Sequence, residues 1–121
     1  MTVHEVTTMA AQGDVILRRV DALPPEAKRV KRKRGAPIVV AHSETKHHHV
    51  IEAEGVVQFE IDDPLVCYLQ LDGIAYADLV HQRSYDTHAT LRLLGTPGEK
   101  TIFQARRQRE YVPSGFRQVQ D

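Results

Sequence analysis

Short runs in which apolar and polar residues alternate, separated by turn-forming residues, extend along most of this chain. Between 88 and 93, alanine and two leucines alternate with histidine, threonine and arginine, which is the two-residue period of a strand with one buried face. The runs at 56–61 and 65–71 alternate in the same way, and Val15–Val20 has the length and composition of a strand. About seven or eight such strands predict an all-β fold, either a single small antiparallel barrel or a jelly-roll-like sandwich.

Turn signals mark the ends of these strands. Asp72-Gly73 is the strongest of them and predicts a tight type I′ hairpin between the strand at 65–71 and a returning strand at 74–82. The sequences Asp62-Asp63-Pro64 and Gly95-Thr96-Pro97-Gly98 predict two further turns. The chain's one weak helical signal lies in a connector where proline and charge oppose a helix.

The length of the chain bounds its domain organisation. With 121 residues it is long enough for one domain with its own hydrophobic core, and we expect a single β domain over 1–121. Residues 1–12 show no clear period, so we expect a loose N-terminal arm or an edge strand there. The polar, basic connector at 24–36 is expected to be a mobile loop.

The overall composition is that of a soluble globular protein. Hydrophobic residues make up 41% of the chain and charged residues 26%, which excludes wholesale disorder. Apolar runs fall short of the roughly 18 residues that span a membrane, and the first dozen residues lack the pattern of a secretory signal. Cys67 is the only cysteine, so an intrachain disulfide is excluded. These features together predict a cytoplasmic protein without a membrane partner.

The formal net charge of zero conceals a separation of charges along the chain. Six of the seven residues at 28–34 are lysine or arginine, a second basic patch runs over Arg106–Arg109, and acidic residues dominate between 52 and 78. Such a separation attracts anionic partners locally. One interpretation is therefore a non-catalytic module that binds nucleic acid or an acidic protein through the 28–34 loop and the Arg106–Arg109 patch. The other interpretation of the loop is a solvated segment that keeps the protein soluble.

The histidines carry the main chemical hypothesis. His47 and His49 project from the same side of a strand, about 7 Å apart, whereas His48 points the other way. Together with Glu54 and either His81 or His88, they form a set of three imidazoles and one carboxylate that suits a divalent ion such as Zn, Fe, Ni or Mn. The sequence leaves open whether such a metal is catalytic or structural, whether these side chains instead line a polar pocket for a small molecule, or whether they have no functional role.

The spacing of His47, His49 and Glu54 resembles the first metal-binding motif of the cupins. That resemblance implies a small β-barrel with a metal inside it, a later histidine that completes the site, and a homodimer. It also implies that an enzyme of this type acts on a small, oxygen-rich substrate. The chain departs from the family pattern at Ala41, where cupins have glycine, and it lacks a recognisable second motif in 82–98.

Overall fold

The computed structural model describes residues 3–41, 48–81, 89–112 and 115–118. Within these ranges every regular element is a β-strand, and two mainly antiparallel sheets pack against each other. The all-β prediction is confirmed. Of its two versions, the sandwich is the one observed, because the strands of the described part form separate sheets and do not close into a barrel.

The first sheet has five strands. Its central strands pair antiparallel, whereas its first edge strand pairs parallel to its neighbour. In spatial order the strands are β1 (Val3–Val6), β10 (Thr90–Leu94), β9 (Tyr76–His81), β6 (His49–Ile51) and β5 (Ile38–Ala41).

The second sheet has six strands, all paired antiparallel. A separate two-stranded ribbon follows it near the end of the chain and consists of β12 (Arg109–Val112) and β13 (Gly115–Gln118). In spatial order the strands of the six-stranded sheet are β2 (Met9–Gln12), β3 (Val15–Val20), β11 (Lys100–Arg107), β8 (Val66–Asp72), β7 (Val56–Glu60) and β4 (Lys28–Arg29).

The hydrophobic core lies between the two sheets and is built from alternate residues of their strands. Leu17, Leu69 and Phe103 come from the six-stranded sheet, Ile51 and Leu79 come from the five-stranded sheet, and all five are fully buried. Burial of such side chains contributes roughly 1.5–3 kcal/mol each, so this layer supplies most of the driving force for folding. The alternation seen in the sequence therefore corresponds to the inner and outer faces of the sandwich.

The N-terminal residues and the basic connector both contain paired strands. Residues 3–12 form β1 and β2, each at the edge of a different sheet. In the connector, β4 pairs with β7, and the amide of Val30 donates to the carbonyl of Gln58. The connector thus leaves the edge of the six-stranded sheet and leads to β5 of the other sheet.

The prediction of a hairpin at Asp72-Gly73 is wrong. β8 and β9, the strands on either side of it, belong to different sheets and do not pair with each other. The amide of Gly73 instead donates to the carbonyl of Glu99, and its carbonyl accepts from the amide of Gly98. Gly73 has a φ of 73°, and this conformation lets the chain cross from one sheet to the other.

Candidate metal centre

Two of the histidines singled out in the sequence lie side by side at one end of the sandwich. His49 begins β6, His81 ends β9, and the antiparallel register pairs them directly. Their rings stack with centroids 4.4 Å apart and planes 18° from parallel. Both side chains are buried, with His49 0% and His81 2% exposed. The fold therefore joins two predicted ligands that are far apart along the chain.

Gln12 fixes the orientation of the His49 ring. Its side-chain amide nitrogen donates to the carbonyls of Leu79 and Ala89, at 3.0 and 2.8 Å. The amide oxygen therefore faces Nδ1 of His49, at 2.9 Å. An amide oxygen only accepts hydrogen bonds, so Nδ1 carries the proton. In neutral His49 the nitrogen without a proton is consequently Nε2.

Asp14 lies beside this nitrogen. Its side chain is 0% exposed, and its Oδ1 lies 3.6 Å from Nε2 of His49. Its Oδ2 accepts from Nε and Nη2 of Arg107, at 3.1 and 2.9 Å. The contact with His49 is too long for a hydrogen bond. A buried carboxylate is thus held against an arginine on one side while its other oxygen faces an imidazole nitrogen.

A short turn delivers both polar side chains to the histidines. Gly13, between β2 and β3, has a φ of 58°, a conformation that glycine adopts without strain. Because Gln12 and Asp14 flank this turn, both side chains enter the same end of the core. Together with their neighbours they form a group that we call the His49 cluster, which consists of Gln12, Asp14, His49, His81 and Arg107.

The remaining predicted ligands do not join His49 and His81 in the described structure. Glu54 is exposed and follows the opposite end of β6 from His49. His47 and His88 lie outside the described residues. Among the residues that the structure describes, no group of three or more histidine, cysteine, aspartate or glutamate side chains has an arrangement that could hold a metal ion.

The stacking of the two rings limits what they do together. The lone pair of an imidazole nitrogen lies in the plane of its ring, so a bound metal lies near that plane. Nearly parallel planes, as in His49 and His81, do not meet near the rings. In the stacked arrangement the two rings therefore do not share one ion, and His81 joins His49 on a metal only after its ring turns.

Sequence reasoning missed three members of the His49 cluster. Asp14 directly precedes the predicted strand Val15–Val20, Arg107 is part of the predicted basic patch, and Gln12 ends the expected arm. Their common feature is burial of a polar side chain, which depends on sheet topology and leaves no local pattern. A signal for Asp14 was its place directly after Gly13 at the start of an apolar strand.

A second candidate surface lies at the other end of β6. Residues 29–35, which include most of the basic segment at 28–34, line a groove of about 770 Å³ together with residues 54–58 and Asp72. Its lysines and arginines are exposed, and Arg32 also donates to the carbonyls of Ala36 and Val56, at 2.6 and 3.3 Å. The predicted Arg106–Arg109 patch is divided, because Arg106 is exposed whereas Arg107 belongs to the His49 cluster.

Comparison with known families places the chain in one of them. Residues 11–108 match the family described as "Domain of unknown function (DUF8820)", and the chain belongs to this family. The matched range includes the whole His49 cluster. Neither the curated proteins nor the solved structures give a match. In the described ranges, no apolar helix has the length that a bilayer crossing needs.

Proposed function

We propose that the protein binds a divalent transition-metal ion, of the group Zn, Fe, Ni or Mn, at the His49 cluster. The observation that carries the proposal is the pairing of Nε2 of His49 with Oδ1 of Asp14, 3.6 Å apart and both on side chains that are 0% exposed. In this proposal Asp14 takes the carboxylate role that the sequence suggested for Glu54.

The distance between these two atoms fits two ligands of one ion. Metal bonds to histidine nitrogen and carboxylate oxygen are about 2.0–2.2 Å long, so two such ligands at a tetrahedral angle lie about 3.4 Å apart. A charge-assisted hydrogen bond would instead bring the two atoms to about 2.7–2.9 Å. The observed 3.6 Å is close to the separation of ligands and well beyond that of a hydrogen bond.

The surroundings of the pair support the same proposal. Histidines that bind metals commonly donate their second ring N–H to a neighbouring oxygen, which fixes the tautomer and the ring orientation. Gln12 accepts such a bond from Nδ1 of His49, and Arg107 orients the Asp14 carboxylate through Oδ2. Both partners leave the two candidate ligand atoms facing each other.

Further donors come from the other predicted histidines. His81 supplies a third nitrogen once its ring turns from the stacked position, and the proposal retains His47 and His88 as candidates. If the protein supplies three ligands, the ion keeps an open position for a small oxygen-rich substrate and acts as a Lewis acid or redox centre. If it supplies four, the site is closed and structural. The resemblance to the cupins extends the proposal to a homodimer. Because its one cysteine, Cys67, is buried and free, we also propose that the protein lies in the cytoplasm.

Calorimetric titration with Zn²⁺ and Mn²⁺ of apo-protein, prepared with a chelator, tests this proposal on single variants. His49→Gln and Asp14→Asn each remove one proposed ligand, so we expect at least a tenfold weaker binding for both. His4→Gln and Glu54→Gln are matched controls, because both residues are exposed and neither belongs to the His49 cluster. The controls should bind metal as the unaltered protein does.

Circular dichroism of each apo-variant establishes that it is folded before the titration is interpreted. Equal metal affinity in the unaltered protein, His49→Gln and Asp14→Asn would exclude the His49 cluster as the site. Loss of binding in Glu54→Gln with retention in Asp14→Asn would return the carboxylate role to Glu54.

A further inference from the structure

A single row of paired residues crosses the whole six-stranded sheet. Each member is the register partner of the next, so their Cα atoms form a line perpendicular to the strands. Two aromatic residues occupy the row's interior, and arginines lie on both sides of them. In spatial order the row consists of Met9, Arg18, Gln104, Tyr68, Phe59 and Arg29.

This row lies on the outer face of the sheet. The residues next to it along the strands, such as Leu17, Phe103 and Leu69, point into the core and are fully buried. Since side chains alternate along a strand, the row faces away from the core. Tyr68 is nevertheless only 6% exposed, and its hydroxyl accepts a hydrogen bond from Gln104 at 3.0 Å. Phe59 beside it is half-buried, so part of this aromatic surface faces outward.

The two outer faces of the sandwich differ in charge. Exposed Arg18, Arg29 and Arg106 lie on the outer face of the six-stranded sheet, which continues into the basic segment at its β4 edge. On the five-stranded sheet, Glu5 is exposed, and Asp78 is paired with Arg92. The positive charge of the basic segment thus lies on the same side of the molecule as Arg18 and Arg106.

We propose that this outer face binds single-stranded nucleic acid. Arg18 and Arg29 are four strand intervals apart, about 19 Å, which is room for a few nucleotides. Their guanidinium groups and the basic segment would neutralise phosphates, and a base would stack on Phe59. The aromatic residue between two arginines favours nucleic acid over an acidic protein, because bases stack on an aromatic ring whereas acidic side chains do not. This proposal is independent of the metal proposal.

Fluorescence anisotropy with labelled mixed-sequence DNA and RNA oligonucleotides of about 12 nucleotides tests the proposal. We expect binding that weakens with salt, because phosphate contacts release counterions. Arg18→Gln and Arg29→Gln should each weaken binding and reduce its salt dependence. Arg92→Gln is the matched control, since it removes the same charge from the opposite face and should leave affinity unchanged.

Phe59 separates nucleic acid from a general polyanion. Phe59→Leu should weaken binding by about fivefold or more, whereas Phe59→Tyr, which keeps an aromatic ring, should preserve it. Polyglutamate serves as an anionic probe without bases. Absence of oligonucleotide binding at low salt would overturn the proposal. So would equal binding of polyglutamate with no effect of Phe59→Leu, which would indicate an acidic protein as the partner.

Discussion

At the scale of single residues, the His49 cluster is costly to bury and therefore informative. A buried carboxylate loses several kcal/mol of hydration, and only well-placed partners offset that loss. Arg107 supplies two hydrogen bonds to Oδ2 of Asp14, and Gln12 is bound to two backbone carbonyls and His49. Apolar residues would fill the same space at lower cost. In the metal proposal, a bound ion would offset part of this cost.

Cys67 offers a contrasting case, a buried titratable group that belongs to the core. Burial raises the pKa of the Cys67 thiol from 9.0 to about 11, and a hydrogen bond with Gln58 partly opposes this increase. The folded state therefore binds the thiol proton more tightly than the unfolded state does. The resulting stabilisation is fully present below pH 9.0 and is lost as the pH rises through about 11.

We predict that Cys67→Ala reduces this loss of stability at alkaline pH. Between pH 8 and a pH above the pKa of the folded-state thiol, the free energy of unfolding should fall by about 2 to 3 kcal/mol more in the unaltered protein than in the variant. Urea denaturation of both proteins at several pH values measures the difference. Parallel pH profiles would show that the thiol is not protected as the structure indicates.

At the scale of elements, the crossing from β8 to β9 depends on a close contact between two turns. Gly95 donates its amide to the carbonyl of Ala75, and a Cβ atom at this position would lie 2.4 Å from the carbonyl oxygen of Ile74. Backbone atoms do not yield to such an overlap as a flexible side chain does. Gly35 has a φ of 80° but open space around the corresponding position.

These two glycines therefore form a matched pair for mutation. Gly95→Ala should destabilise the protein by about 3 kcal/mol, at the upper end of the cost of overpacking. Gly35→Ala meets only the unfavourable left-handed conformation and should cost about 1 to 2 kcal/mol. Thermal or urea unfolding of both variants measures the difference. Equal destabilisation would contradict the close approach of the two turns.

The elements also show how far the sequence alone leads. Alternation predicted β7, β8 and β10 and the all-β class, because one face of each strand must be buried whatever its neighbours are. Pairing between strands is a tertiary property, and Asp72-Gly73 has the same local signature in a sheet-to-sheet crossing as in a hairpin. Asp14 was missed for a related reason, since only the topology brings the β2–β3 turn to the start of β6.

At the scale of the whole molecule, the two proposed activities occupy different regions of one sandwich. The His49 cluster lies at one end, where β6 begins and β9 and β11 end. The proposed nucleic-acid surface is the outer face of the six-stranded sheet, which continues at its β4 edge to the groove at the opposite end of β6. Because the two regions share no residue, loss of one activity by mutation should leave the other intact.

Metal analysis of untagged protein, purified without a nickel column, tests the central claim most directly. Elemental mass spectrometry should find one equivalent of a transition metal per chain, and the His49→Gln and Asp14→Asn variants should lose it. Chelation should lower the melting temperature of the unaltered protein, because an ion that binds only the folded state stabilises it. Metal-free protein whose melting temperature does not respond to added Zn²⁺, Fe²⁺, Ni²⁺ or Mn²⁺ would contradict the account.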